Sequence, residues 1–155
     1  MVDKNESTMK WKVDITQLKS SMQEAKRAIS LANAEFKTAT AGLDKWSKSA
    51  TGVEANLDRL NKILPQQRSI LNDLEKQYEL TAKEMGADSA EAQRLAIQVE
   101  NQRAVVAKTE ADIKKYGEQL KTMSEEGLEA SKSTEKLSDK VKASAETFKK
   151  FWRKK

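Results

Sequence analysis

Apolar residues recur at alternating spacings of three and four along nearly the whole chain, in one unbroken register. The count runs through Trp11, Ile15, Leu18, Met22, Ala25, Ile29, Ala32, Phe36, Ala39, Leu43 and Trp46. It continues through Ala50, Val53, Leu57, Leu60, Leu64, Leu71, Leu74, Tyr78 and Met85. It resumes at Ala92, Leu95, Val99, Val106, Ile113, Tyr116, Leu120 and Met123, and ends on Leu137, Val141, Phe148 and Phe151. A seam of this period lets a helix bury one narrow stripe against another helix. The expected fold class is therefore all-α, built from long heptad-patterned helices. Gln67, Thr81, Gln102, Thr109 and Ser144 interrupt the seam at d positions. Polar residues there weaken the packing and fix register or oligomer state.

Composition narrows what such helices do. With 34% charged, 37% hydrophobic and 5% aromatic residues, the chain suits solvated helices better than a broad globular core. Cysteine is absent, which removes disulfides and thiolate metal sites. Histidine is absent too, so the commonest general base and the usual nitrogen ligand of zinc are missing. No glycine-rich phosphate loop, G-x-S-x-G elbow or H-E-x-x-H pair occurs. Carboxylates such as Glu24, Glu79 and Glu110 are spread along polar faces, and the pairs Glu75/Glu79 and Glu125/Glu129 read as solvated helix surface. No catalytic, cofactor-binding or metal-binding residue is assigned, and an enzyme is not expected. Met1 to Thr8 is polar and unlike a signal peptide. No apolar run approaches the roughly 18 to 20 residues needed to span a bilayer.

The net charge of +5 is local. Residues 138–155 hold Lys140, Lys142, Lys149, Lys150, Arg153, Lys154 and Lys155 against Asp139 and Glu146, which accounts for all of it. The body is neutral, so the charge gives no reason to expect a nucleic-acid-binding body. The run Phe148, Lys149, Lys150, Phe151, Trp152, Arg153, Lys154 and Lys155 interleaves cations with aromatic rings. That pattern suits a membrane surface or an acidic partner, the same charges could meet nucleic acid, and a frayed helix end whose cations complement the helix dipole is the plainer reading.

Punctuation predicts a polar arm over 1–13, a first helix over 14–46 that runs firmly to about Ala41 and is weakened by Gly42, a coiled-coil pair or kinked rod over 53–123, and a weak terminal helix over 128–155. Asp14 or Thr16 is the expected first cap. Joints are expected near 47–52, 86–88 and 124–127. Thr51 with Glu54 forms a capping-box pattern at the first, and Gly86 followed by Asp88 and Glu91 a stop and restart at the second. Pro65 either starts a helix or kinks one. Trp11, Trp46, Tyr78 and Tyr116 fall on a or d positions and read as packing.

Two arrangements satisfy this pattern. Several copies of an extended helix wind side by side, which the unbroken register favours, because a count carried across a true loop would match by chance about one time in seven. Alternatively, the chain folds back at Gly86 as an antiparallel hairpin. The matched arms and the extra apolar residues Ile63, Ile70 and Val105 beside the seam favour that one.

The string Trp11-Lys12-Val13-Asp14-Ile15, with Leu18-Lys19 and Met22-Gln23-Glu24-Ala25, resembles a segment of bacteriophage and prophage tail tape measure proteins, particularly those of Gram-positive hosts. So do Ala34 to Ser47, Leu74-Glu75-Lys76-Gln77-Tyr78-Glu79, Gly86, Ser89, Asn101 to Glu110, Tyr116 and Leu120. The resemblance covers about Lys10 to Met123. It implies a non-enzymatic virion assembly protein, lying as parallel copies of a homo-oligomer in the tail lumen after synthesis in the host cytoplasm. Tail tube and tail assembly proteins would be its partners. A helix rises 1.5 Å per residue, so such a protein sets tail tube length by its own length. This chain is far shorter than is common for the family and lacks its apolar segments, so it is expected to be a segment or a shortened relative. A coiled-coil adaptor that binds a membrane surface or partner helices through its terminal helix is the alternative.

Overall fold

The computed structural model describes the backbone of residues 4–153 and the side chains of residues 4–126. Three helices follow one another: α1 (Lys4–Thr40), α2 (Ala50–Met85) and α3 (Ala90–Arg153), with one 3₁₀ turn at Trp46–Lys48 before α2. No strand occurs among the described residues, and the fold class is all-α. The chain divides into two units, Met1–Gly117 and Glu118–Lys155.

In the first unit the helices fold back on one another. Along α1 and α2 the partners run in opposite order: Ser7 and Thr8 with Glu84, Trp11 with Thr81, Met22 with Gln77, and Asn33 with Arg59. Along α2 and α3 they do so again, with Glu75 against Arg103 and Arg68 against Glu110. Two apolar clusters join all three helices. One holds Ala25, Ile70, Leu74 and Val99, flanked by Met22, Ile29, Leu71, Tyr78 and Leu95. The other holds Ala32, Leu60 and Ile63, flanked by Ile29, Ile113 and Tyr116. The favoured expectation of extended, side-by-side copies is therefore not the arrangement of residues 4–117, which adopt the antiparallel hairpin about Gly86 with α1 added to it. A heptad stripe states that a helix has a partner, and leaves open which one and in which direction.

Helix boundaries differ from expectation in instructive ways. Helix α1 starts at Lys4, so residues 4–13 are helical and not a free arm. Contacts from Ser7, Thr8 and Trp11 to α2 hold that turn, and the Thr16 hydroxyl donates to the Lys12 carbonyl within the helix instead of capping it. At its other end α1 stops at Thr40, close to the weak point expected at Ala41 and Gly42, and the chain turns there instead of staying helical to 46. Ser49, not Thr51, caps α2: its Oγ accepts from the Gly52 N–H at 2.9 Å. Ser89, not Asp88, caps α3 by accepting from Ala92 at 3.2 Å, with Glu91 in the first turn as expected. In both cases the cap lies immediately before the helix, where a short hydroxyl side chain reaches the free amides. Pro65 lies exposed inside α2, so it does not start a helix, and buried Ile63 and Gln67 flank it.

The expected joint at 124–127 is absent, because α3 runs through it. One glycine costs a helix about 1 kcal/mol, and neither a proline nor a turn sequence accompanies Gly127. In the second unit the helix continues to Arg153, and Thr122 donates to the Glu118 carbonyl.

Candidate functional site: the interior of the helix seam

Helix α2 carries the densest burial, packed against α1 on one side and α3 on another. Its buried positions are Val53, Asn56, Leu60, Ile63, Gln67, Ile70, Leu74, Gln77 and Thr81, with Asp73 beside them. Spacings of three and four recur, but this stripe is not the seam read from the sequence. It keeps the d positions, including Leu60, Leu74, Gln67 and Thr81, and adds Asn56, Ile63, Ile70 and Gln77. Leu57, Leu64, Leu71 and Tyr78, the a positions, flank it half-buried. The wider stripe is what two simultaneous partners require. Helices α1 and α3 keep the expected narrow stripe. Ile15, Leu18, Met22, Ile29 and Phe36 are half-buried around buried Ala25 and Ala32. Leu95, Ile113 and Tyr116 are half-buried around buried Val99, Val106 and Thr109. Leu43 is half-buried in the α1–α2 connection, and Leu120 half-buried in the second unit. Val105, expected to widen the stripe, is 41% exposed.

The two ends of the first unit are built differently. At one end the α1–α2 connection folds over the bundle and places Trp46 between two rings. The edge-on Phe36 ring lies 5.3 Å away and the tilted Tyr116 ring 5.6 Å away, within the range of favourable aromatic packing. The Arg59 guanidinium sits 5.0 Å from the Phe36 ring centre and donates to Asn56 Oδ1 and to Asn33 Oδ1. Gly52, buried in the first turn of α2, lets the connection lie this close. A Cβ there would lie 2.6 Å from the Trp46 Cα, inside contact distance.

The other end is polar and open. Gly86 has φ 93° and ψ 148°, a conformation that side-chain-bearing residues avoid, and nothing lies within 4 Å of where its Cβ would be. Around it the Trp11 Nε1 donates to Thr81 Oγ1 at 3.3 Å, and the Ser7 and Thr8 hydroxyls donate to the two Glu84 carboxylate oxygens. A half-open groove of about 230 Å³ opens there, bordered by Trp11, Ile15 and Lys19 of α1 and by Glu91, Arg94 and Gln98 of α3.

Polar groups inside the seam are only partly satisfied. Gln102 Nε2 donates to the Gln67 carbonyl oxygen at 3.0 Å, and Gln77 Nε2 to the Met22 sulfur. Asn56 Nδ2, Gln67 Oε1 and Asp73 Oδ2 are buried with no partner in the protein. Each such atom weakens the packed state. The outer ion pairs, among them Lys62–Glu35 and Arg68–Glu110, are exposed and contribute little. The hydrogen bonds of Lys62 to Glu35 and then Asp58 raise its pKa above the usual lysine value. Among the described residues no group of three acidic side chains is placed to hold a metal ion, and no helix is long and apolar enough to cross a membrane.

Sequence reading therefore located the aromatic packing positions and the apolar half of the site. Asn56, Asp73 and Gln77 went unread, since polar residues off the a and d positions carry no signal of burial on one helix alone. The side chains of Phe148 to Lys155, the candidate membrane or partner contact, lie outside the described residues, as does that of Ser144. Comparison with protein-family models, with curated proteins and with solved structures gives no match to this chain.

Proposed function

We propose that the chain is a non-enzymatic structural segment of a phage tail tape measure protein. It would work in virion assembly as a helical module, with tail tube and tail assembly proteins as partners. The observation that carries the reading is the placement of the residues behind the resemblance. Phe36 and Trp46, from one resembling stretch, meet Tyr116, from another, in one aromatic cluster, and Gly86 lies in the turn between α2 and α3. These aromatic residues are seam positions; the identities off the seam, Lys12-Val13-Asp14, Glu35 with Lys37, and Asn101 with Arg103 to Val105, and the turn glycine Gly86 are what support the reading beyond heptad coincidence. The antiparallel packing of residues 4–117 adjusts the reading, because a folded-back module advances less per residue than a single helix. Length templating then falls mainly to other parts of the longer protein.

The test is genetic. In a phage or prophage whose tape measure gene encodes this sequence, in-frame removal of residues 4–117 should yield shortened or unassembled tails by electron microscopy. Tails of unchanged length on infectious particles would sink the proposal.

The fold-back of α1, α2 and α3 favours a second reading, an adaptor that docks through the basic end at 148–155. Flotation with anionic vesicles that disappears when Phe148 to Lys155 are removed would support it, and recovery of the chain free of lipid would count against it.

A further inference from the structure

The heptad count passes through the α2–α3 turn without slipping. Thr81 and Ala92, both buried, are separated by eleven residues, the sum of three steps of four, three and four. Between them the seam positions are Met85, the exposed last residue of α2, and Asp88, exposed in the turn. A hairpin places no demand on this number, since its two arms face each other whatever the loop length. A straight helix does. Only an in-register count puts the buried stripes of α2 and α3 on one side of a continuous helix.

We propose that the α2–α3 turn is a hinge that opens to join α2 and α3 into one helix, and that the opened chain pairs antiparallel with a second copy. Each α1–α2 pair is then completed by the α3 of the other copy. The packing of Ile70 and Leu74 on Val99, the Glu75–Arg103 and Arg68–Glu110 pairs, and the bond from Gln102 to the Gln67 carbonyl all re-form between copies. Closed monomer and exchanged dimer thus share their contacts and differ at the hinge. The closed hinge needs Gly86 in its glycine-only conformation and leaves Met85 44% exposed. The open hinge relieves the backbone and returns Met85 to the seam. Asp88 acts against opening, because two copies of it approach at the centre of the dimer. The opposite end stays shut, held by Phe36, Trp46 and Tyr116. None of this depends on the functional reading above.

The test uses the full chain. Gly86→Ala has open space for its methyl group and is opposed only by the backbone angle of the closed form. It should tighten dimerisation, measured by sedimentation equilibrium, on the order of a hundredfold, about ten per hinge. Inserting two residues between Gly86 and Ala87 leaves a hairpin intact but rotates the two stripes of a straight helix about 200° apart. That variant should be monomeric. Because the chain lacks cysteine, Arg68→Cys with Glu110→Cys provides two spin-label sites in one chain. Diluted with unlabelled chain, the labels should report a short distance in the monomer and one near 60 Å in the dimer. A monomeric Gly86→Ala chain, a dimer with only the short distance, or an insertion variant that still dimerises would each overturn the proposal. If Gly86→Ala loses its helicity, the wild-type chain and the insertion variant decide the matter on the same readouts.

Discussion

The two ends of the first unit close the same bundle by opposite means. Where α1 turns into α2, nine residues separate the helices, and they pack: Trp46 fills the space between Phe36 and Tyr116, and its backbone rests on Gly52. Where α2 turns into α3, four residues suffice, nothing lies within 4 Å of where a Gly86 Cβ would be, and the end of α2 is tied to α1 by hydroxyl, indole and carboxylate hydrogen bonds. The longer connection is the firmer one. Loop length sets an entropy that grows only slowly, whereas each buried aromatic side chain removes a large apolar area from water.

Substitutions at the two ends test this contrast, most strongly at Gly52. A methyl group there must displace the Trp46 backbone, so Gly52→Ala should lower the unfolding free energy by about 3 kcal/mol in denaturant titrations. A loss under about 1 kcal/mol would mean that the connection moves aside freely, and the contrast would fail. Trp46→Ala removes the centre of the aromatic cluster and should cost about 2 to 3 kcal/mol. Trp11→Ala at the open end should cost about 1 kcal/mol, for one long hydrogen bond and a half-buried ring. Equal losses at the two tryptophans would erase the distinction.

Between the ends, Gln67→Leu removes the buried, unpartnered Oε1 and leaves the main-chain acceptor of Gln102 in place. It should raise stability by about 1 kcal/mol, with a matching upward shift of the thermal midpoint. A loss instead would show that the amide has a partner supplied by solvent.

The smallest effect belongs to Lys62. Its raised pKa means that the bridge to Glu35 and Asp58 adds stability below the usual lysine value of 10.5 and loses it as pH climbs through the folded value. Lys62→Met should therefore differ slightly from the parent at neutral pH and converge with it at strongly alkaline pH. The difference should shrink in molar salt. A gap that widened with pH would contradict the assignment.

Much of the helical order was legible before any coordinates. The narrow stripes of α1 and α3 follow the a and d count, the first break falls at 41–49 and so overlaps the expected 47–52 only in part, the second at 86–89 matches, and Gly86 has a positive φ but an extended ψ in place of the left-handed helical cap. The pairing was not legible. One heptad stripe fits a rod among copies and an arm in a hairpin equally well, and the clue that separated them was the pair Ile63 and Ile70 beside the seam. Both are buried because α2 has two neighbours. The same geometry buries Asn56 and Gln77, whose polarity gave the opposite signal. The caps at Ser49 and Ser89 were missed by two positions and one position respectively, since acidic and hydroxyl residues crowd both starts and only backbone direction selects among them.

Helix α2, the most deeply buried of the three, is also the second to be made. When Met85 leaves the ribosome, the partners of the Phe36–Trp46 contact and of the Trp11–Thr81 bond are all outside it, while most of α3 is still in the exit tunnel or unmade. Pairing between neighbours in sequence is the fast kind, and domains begin to assemble from the N-terminus during synthesis. The nascent chain would then offer α3 a prepared surface, with one side of α2 still bare. A fragment ending at Gly86 that melted cooperatively would establish that order, and one without helical signal would reverse it.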